Sequence, residues 1–129
     1  MAGSIDERYE GTGTVALYLR LSKEDEFLDE LETGESNSIM SQRELLRGSL
    51  MEYGLSDGNI VEYIDDGYSG KNFNRPAVKQ LLEDVRNEKV KTILVKDFSR
   101  FGRDHITVGD YVEKIFPFLG VRFIAVSVG

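Results

Sequence analysis

Val15-Ala16-Leu17-Tyr18-Leu19-Arg20-Leu21-Ser22 is the stretch that decides the fold. Six of its eight residues are apolar or aromatic. A run this short and this apolar predicts a buried strand, from about Thr14 to Leu21, covered on both faces. Arg20 interrupts the run near its end. A guanidinium in that position is costly unless something anionic meets it. Ser22 follows where the strand gives way to Lys23-Glu24-Asp25-Glu26. A hydroxyl at the carboxyl end of a strand, two residues after an arginine, reads as a nucleophile beside an anion site.

Downstream, strand and helix patterns alternate. Residues 1–13 lack an apolar period and are expected to be a mobile lead-in. Lys23 to Asn37 holds seven carboxylates among fifteen residues and reads as an acidic loop. Ser38 or Asn37 can cap a helix from about Ile39 to Tyr53, stopped by Gly54. Asn59 to Ile64 is a second strand, followed by the loop Asp65-Asp66-Gly67-Tyr68-Ser69-Gly70. Asn74 is expected to cap a helix with Pro76 in its first turn. Thr92-Ile93-Leu94-Val95 is the third strand. One long helix is expected from about Ile106 to Leu119, with Pro117 shortening or bending its last turn. Val121 to Val126 is the fourth strand. This alternation predicts a three-layer α/β/α domain around a mainly parallel sheet of four to five strands.

Composition narrows the chemistry. The 129 residues fit one domain, and an apolar fraction of 40% can build its core. There is no cysteine and a single histidine, His105. Disulfides and thiolate metal sites are therefore excluded, and a Ser-His-Asp triad is hard to assemble. No apolar run approaches the roughly 20 residues of a membrane span, and no signal peptide is visible, so a cytoplasmic location is expected. The net charge of −7 argues against a stand-alone DNA binder, because DNA affinity comes largely from neutralising phosphates. The sequence ends three residues after Val126, and a piece of a longer protein is expected.

In open α/β sheets, ligands bind beyond the carboxyl ends of the strands. Three such ends carry polar clusters: Arg20 and Ser22; Asp65, Asp66, Ser69 and then Arg75; Asp97, Ser99, Arg100 and Arg103. In a parallel sheet they meet on one rim, as one serine among four arginines. Permanently charged planar donors suit the non-bridging oxygens of a phosphoryl group, with no metal or other cofactor required. Taken singly, each signal has a plainer reading. Ser22 resembles a helix cap, Asp65-Asp66-Gly67 a turn, Ser99-Arg100 a helix start, and Lys96 a solvated strand-end charge. The convergence carries the functional reading.

Tyr18-Leu19-Arg20-Leu21-Ser22, Gln42, Asp66-Gly67-Tyr68-Ser69-Gly70 with Arg75, and Ser99-Arg100-Phe101-Gly102-Arg103-Asp104 together resemble the catalytic domain of serine site-specific recombinases, the resolvase/invertase type. The resemblance runs from about residue 14 to 126. The insertion after Ser22 and the wording Lys96-Asp97-Phe98-Ser99-Arg100 are similar to the large serine recombinases and transposases. The resemblance implies that Ser22 attacks a DNA phosphodiester and forms a 5′-phosphoserine ester, later religated to exchanged strands. It implies that Arg20, Arg100 and Arg103 bind the phosphate and that Arg75 positions or activates. Asp66, Ser69, Gln42 and Ser99 support them. No metal or cofactor is implied. The implied partners are DNA, held mainly by downstream domains, and further copies of the chain in a dimer and a synaptic tetramer. Ser99 departs from the family pattern, since many small resolvases carry an aspartate there. An isolated catalytic piece is expected to be inactive. The alternative is a receiver-like phosphoacceptor domain, with Asp65, Asp66, Asp97 and Lys96 around magnesium.

Overall fold

A computed structural model of the chain describes residues 13–22, 38–71 and 73–127. The acidic segment 23–37 and the lead-in before residue 13 lie outside the described residues. Strand β1 is Thr14–Leu21. It is followed by helix α1 (Ile39–Ser49), strand β2 (Asn59–Asp66), helix α2 (Pro76–Arg86) and strand β3 (Thr92–Val95). Short helices α3 (Phe98–Phe101) and α4 (His105–Asp110), a π-helical segment (Tyr111–Ile115), helix α5 (Phe116–Leu119) and strand β4 (Arg122–Ala125) complete the described chain.

The four strands form one sheet in the order β2-β1-β3-β4. Every pairing is parallel. The chain leaves β1 in one direction to reach β2, then crosses back over β1 to reach β3. With right-handed crossovers, that reversal puts α1 on one face and the later helices on the other. The core divides accordingly. Val15, Leu17 and Leu19 pack with Leu46, Leu50, Leu55 and Leu94 on the α1 face. Ala16 and Tyr18 pack with Val78, Leu81, Phe101 and Phe116 on the opposite face. Alternation along a pleated strand produces this split directly. The expected architecture is therefore present, with four strands.

The register fixes the position of the rim. β1 pairs with β2 as far as Leu21 opposite Asp66. Against β3 it pairs only as far as Leu17 opposite Leu94, and β3 ends one residue later. Arg20 thus projects past the end of β3, at the point where the strand order reverses.

Several local expectations change. Helix α1 stops at Ser49 rather than near Tyr53, and Gly54 closes a series of turns with φ 72°. Those turns return Leu55 to the core through a bond from its N–H to the Leu50 carbonyl at 2.8 Å. Strand β2 continues through Asp66, so Asp65 is a buried strand residue and not part of a turn. Asn74 does not cap α2; Arg75 occupies the cap position without a side-chain cap bond. The long helix expected over 106–119 is present as one continuous helical run, 105–119, with a π-helical register shift inside it. The N–H of Phe116 reaches back five residues to the Tyr111 carbonyl. Pro117, which has no N–H to give, then begins a new turn. The π-helical segment absorbs the proline that would otherwise break the ladder.

Candidate active site

The three strand-end clusters do meet. The Arg20 side chain is fully buried. Its Nε donates to the Arg100 carbonyl at 2.9 Å and its Nη2 to the Ser99 carbonyl at 2.6 Å. Its Nη1 donates to the Tyr68 carbonyl at 3.1 Å. One guanidinium thus ties the end of β1 to the loop after β2 and to α3 after β3. Gly70 lies against it: a Cβ at Gly70 would sit 2.6 Å from Arg20 Nη2 and 2.8 Å from its Cζ. Only a residue without a side chain allows that approach.

The backbone of Arg20 is held as firmly as its side chain. The Gln42 side-chain amide accepts from the Arg20 N–H at 3.3 Å and donates to the Arg20 carbonyl at 2.9 Å. Arg100 Nη1 donates to the same carbonyl at 3.3 Å. β3 has ended at this level, so these side chains satisfy a peptide that a neighbouring strand would otherwise pair. Ser22 follows at the end of β1 and is nearly buried, with 9% of its surface exposed.

Arg75 and Arg100 are buried as well, whereas Arg103 is exposed. Arg75 Nη1 donates to the Tyr18 hydroxyl at 2.7 Å, and its Nη2 donates to the Phe101 carbonyl at 2.8 Å. Its guanidinium carbon lies 5.1 Å from the Phe73 ring centre, in cation–π range. Arg75 also lines a cavity of about 120 Å³ with Gly70, Lys71, Phe73, Gly102, Asp104 and Thr107. The Arg103 N–H donates to the Gly70 carbonyl at 2.9 Å, which places this exposed cation beside the Arg20 contact.

Asp97 caps α3 by accepting from the Arg100 N–H at 3.2 Å. Its Oδ1 also accepts from the Ser99 hydroxyl at 2.6 Å. A carboxylate therefore stands at Ser99 even though that position is a serine. Asp66 and Ser69 lie on the exposed part of the rim, where Ser69 Oγ accepts from the Lys71 N–H at 3.1 Å.

Tyr18 and Asp65 form the buried side of this arrangement. Tyr18, fully buried, donates its hydroxyl hydrogen to Asp65 Oδ2 at 2.6 Å. Asp65 also accepts from the N–H groups of Ala77 and Val78 at 2.8 and 3.0 Å. The α2 cap expected from Asn74 thus comes from β2. Burial pushes the Tyr18 phenol well above the ordinary tyrosine value; Arg75 opposes this and the Asp65 hydrogen bond adds to it. A hydroxyl inside an apolar strand, two residues before Arg20 on the same face, was the available signal for Tyr18. Asp65 is read from the sequence as part of the polar cluster after the second strand, and nothing local pairs it with Tyr18. Its engagement with Tyr18 and α2 also removes it from the metal-ligand role that a receiver-like domain would need.

The chain matches the family model for the resolvase N-terminal domain over residues 15–129. It is 29% identical over 103 residues to a Bacillus subtilis (strain 168) protein named as a candidate DNA recombinase, and it spans 18% of that protein's length. The N-terminal catalytic domain of TP901-1 integrase superposes with a TM-score of 0.68 at 28% identity, covering 88% of this chain and 76% of that one. A resolvase family site-specific recombinase from Streptococcus pneumoniae gives 0.63 at 28% identity, covering 88% and 72%. With the fold, the strand-end motifs and the matched span in agreement, the chain belongs to the resolvase N-terminal domain family.

Proposed function

We propose that this chain is the catalytic domain of a site-specific DNA recombinase that works through a serine nucleophile. In this reading Ser22 Oγ attacks the phosphorus of a DNA phosphodiester. The bond to the 3′ oxygen breaks, the serine proton ends on that oxygen, and the 5′ end is held as a phosphoserine ester. Reversal by a 3′ hydroxyl from another strand releases Ser22 and joins exchanged partners. Ester replaces ester at both steps, so no external energy source is needed.

Arg20, Arg100 and Arg103 carry the phosphate and the charge that builds on it during attack. Arg103, exposed at the rim, meets the substrate first. Arg20 and Arg100 form the buried floor beneath it. Arg75 orients the phosphate from the side of the cavity that it lines. Gln42 supports through the Arg20 backbone, Ser99 through Asp97, and Asp66 and Ser69 through the exposed loop. The partners in this reading are DNA and further copies of the protein, and the working compartment is the cytoplasm, where DNA is met. No described helix is long and apolar enough to cross a membrane.

The observation that carries this reading is the Arg20 side chain, two residues before Ser22, bonded to the carbonyls of Tyr68, Ser99 and Arg100. The test is covalent trapping with the full-length protein and DNA bearing its recombination site. A protein–DNA adduct should form, its attachment should map to Ser22, and Ser22→Ala should abolish it. An adduct that persists in Ser22→Ala refutes the assignment.

A further inference from the structure

We propose that Tyr18 and Asp65 are positioning residues for Arg75, acting as one chain of hydrogen bonds that starts at the α2 N-terminus and ends on the guanidinium. This inference rests on the recombinase reading above. Its links are short and buried: Ala77 and Val78 N–H to Asp65, the Tyr18 hydroxyl to Asp65, and Arg75 to the Tyr18 oxygen.

The direction of each bond is fixed by what each group can do. An ionised carboxylate only accepts. Asp65 receives two backbone donors at a helix N-terminus, where negative charge is favoured. It therefore requires the one tyrosine hydrogen to point toward it. The hydroxyl then presents only lone pairs to Arg75. A guanidinium only donates, so the two are matched with no alternative polarity. Buried hydrogen-bond chains of this kind strengthen one another and resist reorientation. On its other side, Arg75 is anchored to the Phe101 carbonyl in α3, one residue after Arg100. The chain thus sets Arg75 relative to the element that carries the phosphate-binding Arg100.

The molecule contains its own control. Tyr63, on β2, donates to Asp84 Oδ2 at 2.7 Å. Burial and the Asp84 bond raise its pKa as well. This is the same tyrosine–aspartate pair, but Asp84 lies in α2, away from its N-terminus. Tyr63→Phe removes an equivalent bond from the residue paired with Tyr18 on the neighbouring strand, one that leads to the body of α2 and not to Arg75.

The test uses the full-length protein in single-turnover adduct formation. Tyr18→Phe keeps the ring and the Asp65 cap and removes only the hydroxyl. The adduct rate should fall about tenfold or more, as a small misplacement of a substrate-positioning group allows. DNA affinity should stay within about twofold, and Tyr63→Phe should cleave at the wild-type rate. In an Arg75→Lys background, Tyr18→Phe should have little further effect, because the group it positions is gone. Guanidinium NMR signals of Arg75 should show faster rotation in Tyr18→Phe. A Tyr18→Phe rate within twofold of wild type overturns the inference. So does an equal loss in both backgrounds. If wild type forms no adduct that depends on Ser22, it is the recombinase reading that fails. A Ser22-dependent adduct unaffected by Tyr18→Phe leaves that reading standing and removes only this one.

Discussion

The two faces of β1 are built from different chemistry. Val15, Leu17 and Leu19 point to α1 and meet leucines. On the other face, Ala16, Tyr18 and Arg20 change along the strand from small to aromatic to cationic, until the guanidinium reaches the rim. One face is a dry scaffold made by shape and area. The other turns apolar packing into directed hydrogen bonds as it approaches the site. The same strand can do both because successive side chains point opposite ways. The comparison predicts that damage on the α1 face costs stability alone, and that damage on the other face costs stability and chemistry together.

Arg20→Ala should be the most severe break. It strips three carbonyls of a buried charged donor. An unsatisfied buried acceptor costs about 1–3 kcal/mol; the Arg100 carbonyl is buried and those of Tyr68 and Ser99 are part-buried, so with the lost packing of the side chain a loss of about 4 kcal/mol is expected. Urea unfolding measures it, and the folded fraction should form no adduct. A folded Arg20→Ala protein that cleaves normally would erase the functional difference between the faces. Leu19→Ala, one residue away on the α1 face, should cost about 3 kcal/mol through its transfer and cavity terms. Its adduct rate per folded molecule should match wild type. A selective loss of rate there would blur the distinction.

Gly70→Ala is expected to fall next, at about 2 kcal/mol, because overpacking a filled site forces side chains from their rotamers. The new methyl would collide with the Arg20 guanidinium and approach Arg103 Cγ at 3.1 Å. Activity should drop more than stability does, since the displaced groups are those proposed to hold the phosphate. Thermal unfolding alongside adduct formation separates the two effects. Equal losses would make Gly70 a packing residue only.

What the sequence disclosed follows from this division. The bounds of β1 and β3, the parallel order and the meeting of the arginine clusters all rest on apolar period and on strand ends, which are local signals. The partners of polar groups are not local. Tyr18 and Asp65 lie 47 residues apart, and Arg20 and Arg100 lie 80 apart. No period reports such a pair. Asp65 beside Asp66 and Gly67 has the composition of a turn, yet its carboxylate is needed at the α2 N-terminus and draws the strand onward. The π-helical register shift after Asp110 was hidden for a related reason. Pro117 announces a disturbance, but the register shift that accommodates it depends on where Phe116 must pack, against Phe101 and Phe123.

The smallest effect lies farthest from the rim and tests the scaffold face in another way. Glu62 on β2 accepts from Arg43 Nε at 3.0 Å and from Arg47 Nη2 at 2.9 Å, which joins α1 to the edge strand. Burial alone would raise its pKa, but the hydrogen bonds from Arg47 and Arg43 outweigh burial and hold the carboxyl below 4.5. A depressed folded-state pKa means that this carboxylate stabilises the fold at neutral pH. That stability begins to fade as pH falls below 4.5 and is lost through the lower folded value. Glu62→Gln should therefore cost about 1 kcal/mol at pH 7, since both arginines are partly exposed and screened. The difference between wild type and variant should close on acidification and should shrink in high salt. Adduct formation at neutral pH should be unchanged. If Glu62→Gln slowed cleavage without loss of stability, α1 would be coupled to the chemistry by more than the Gln42 contact with the Arg20 backbone, and the division between the faces would not hold.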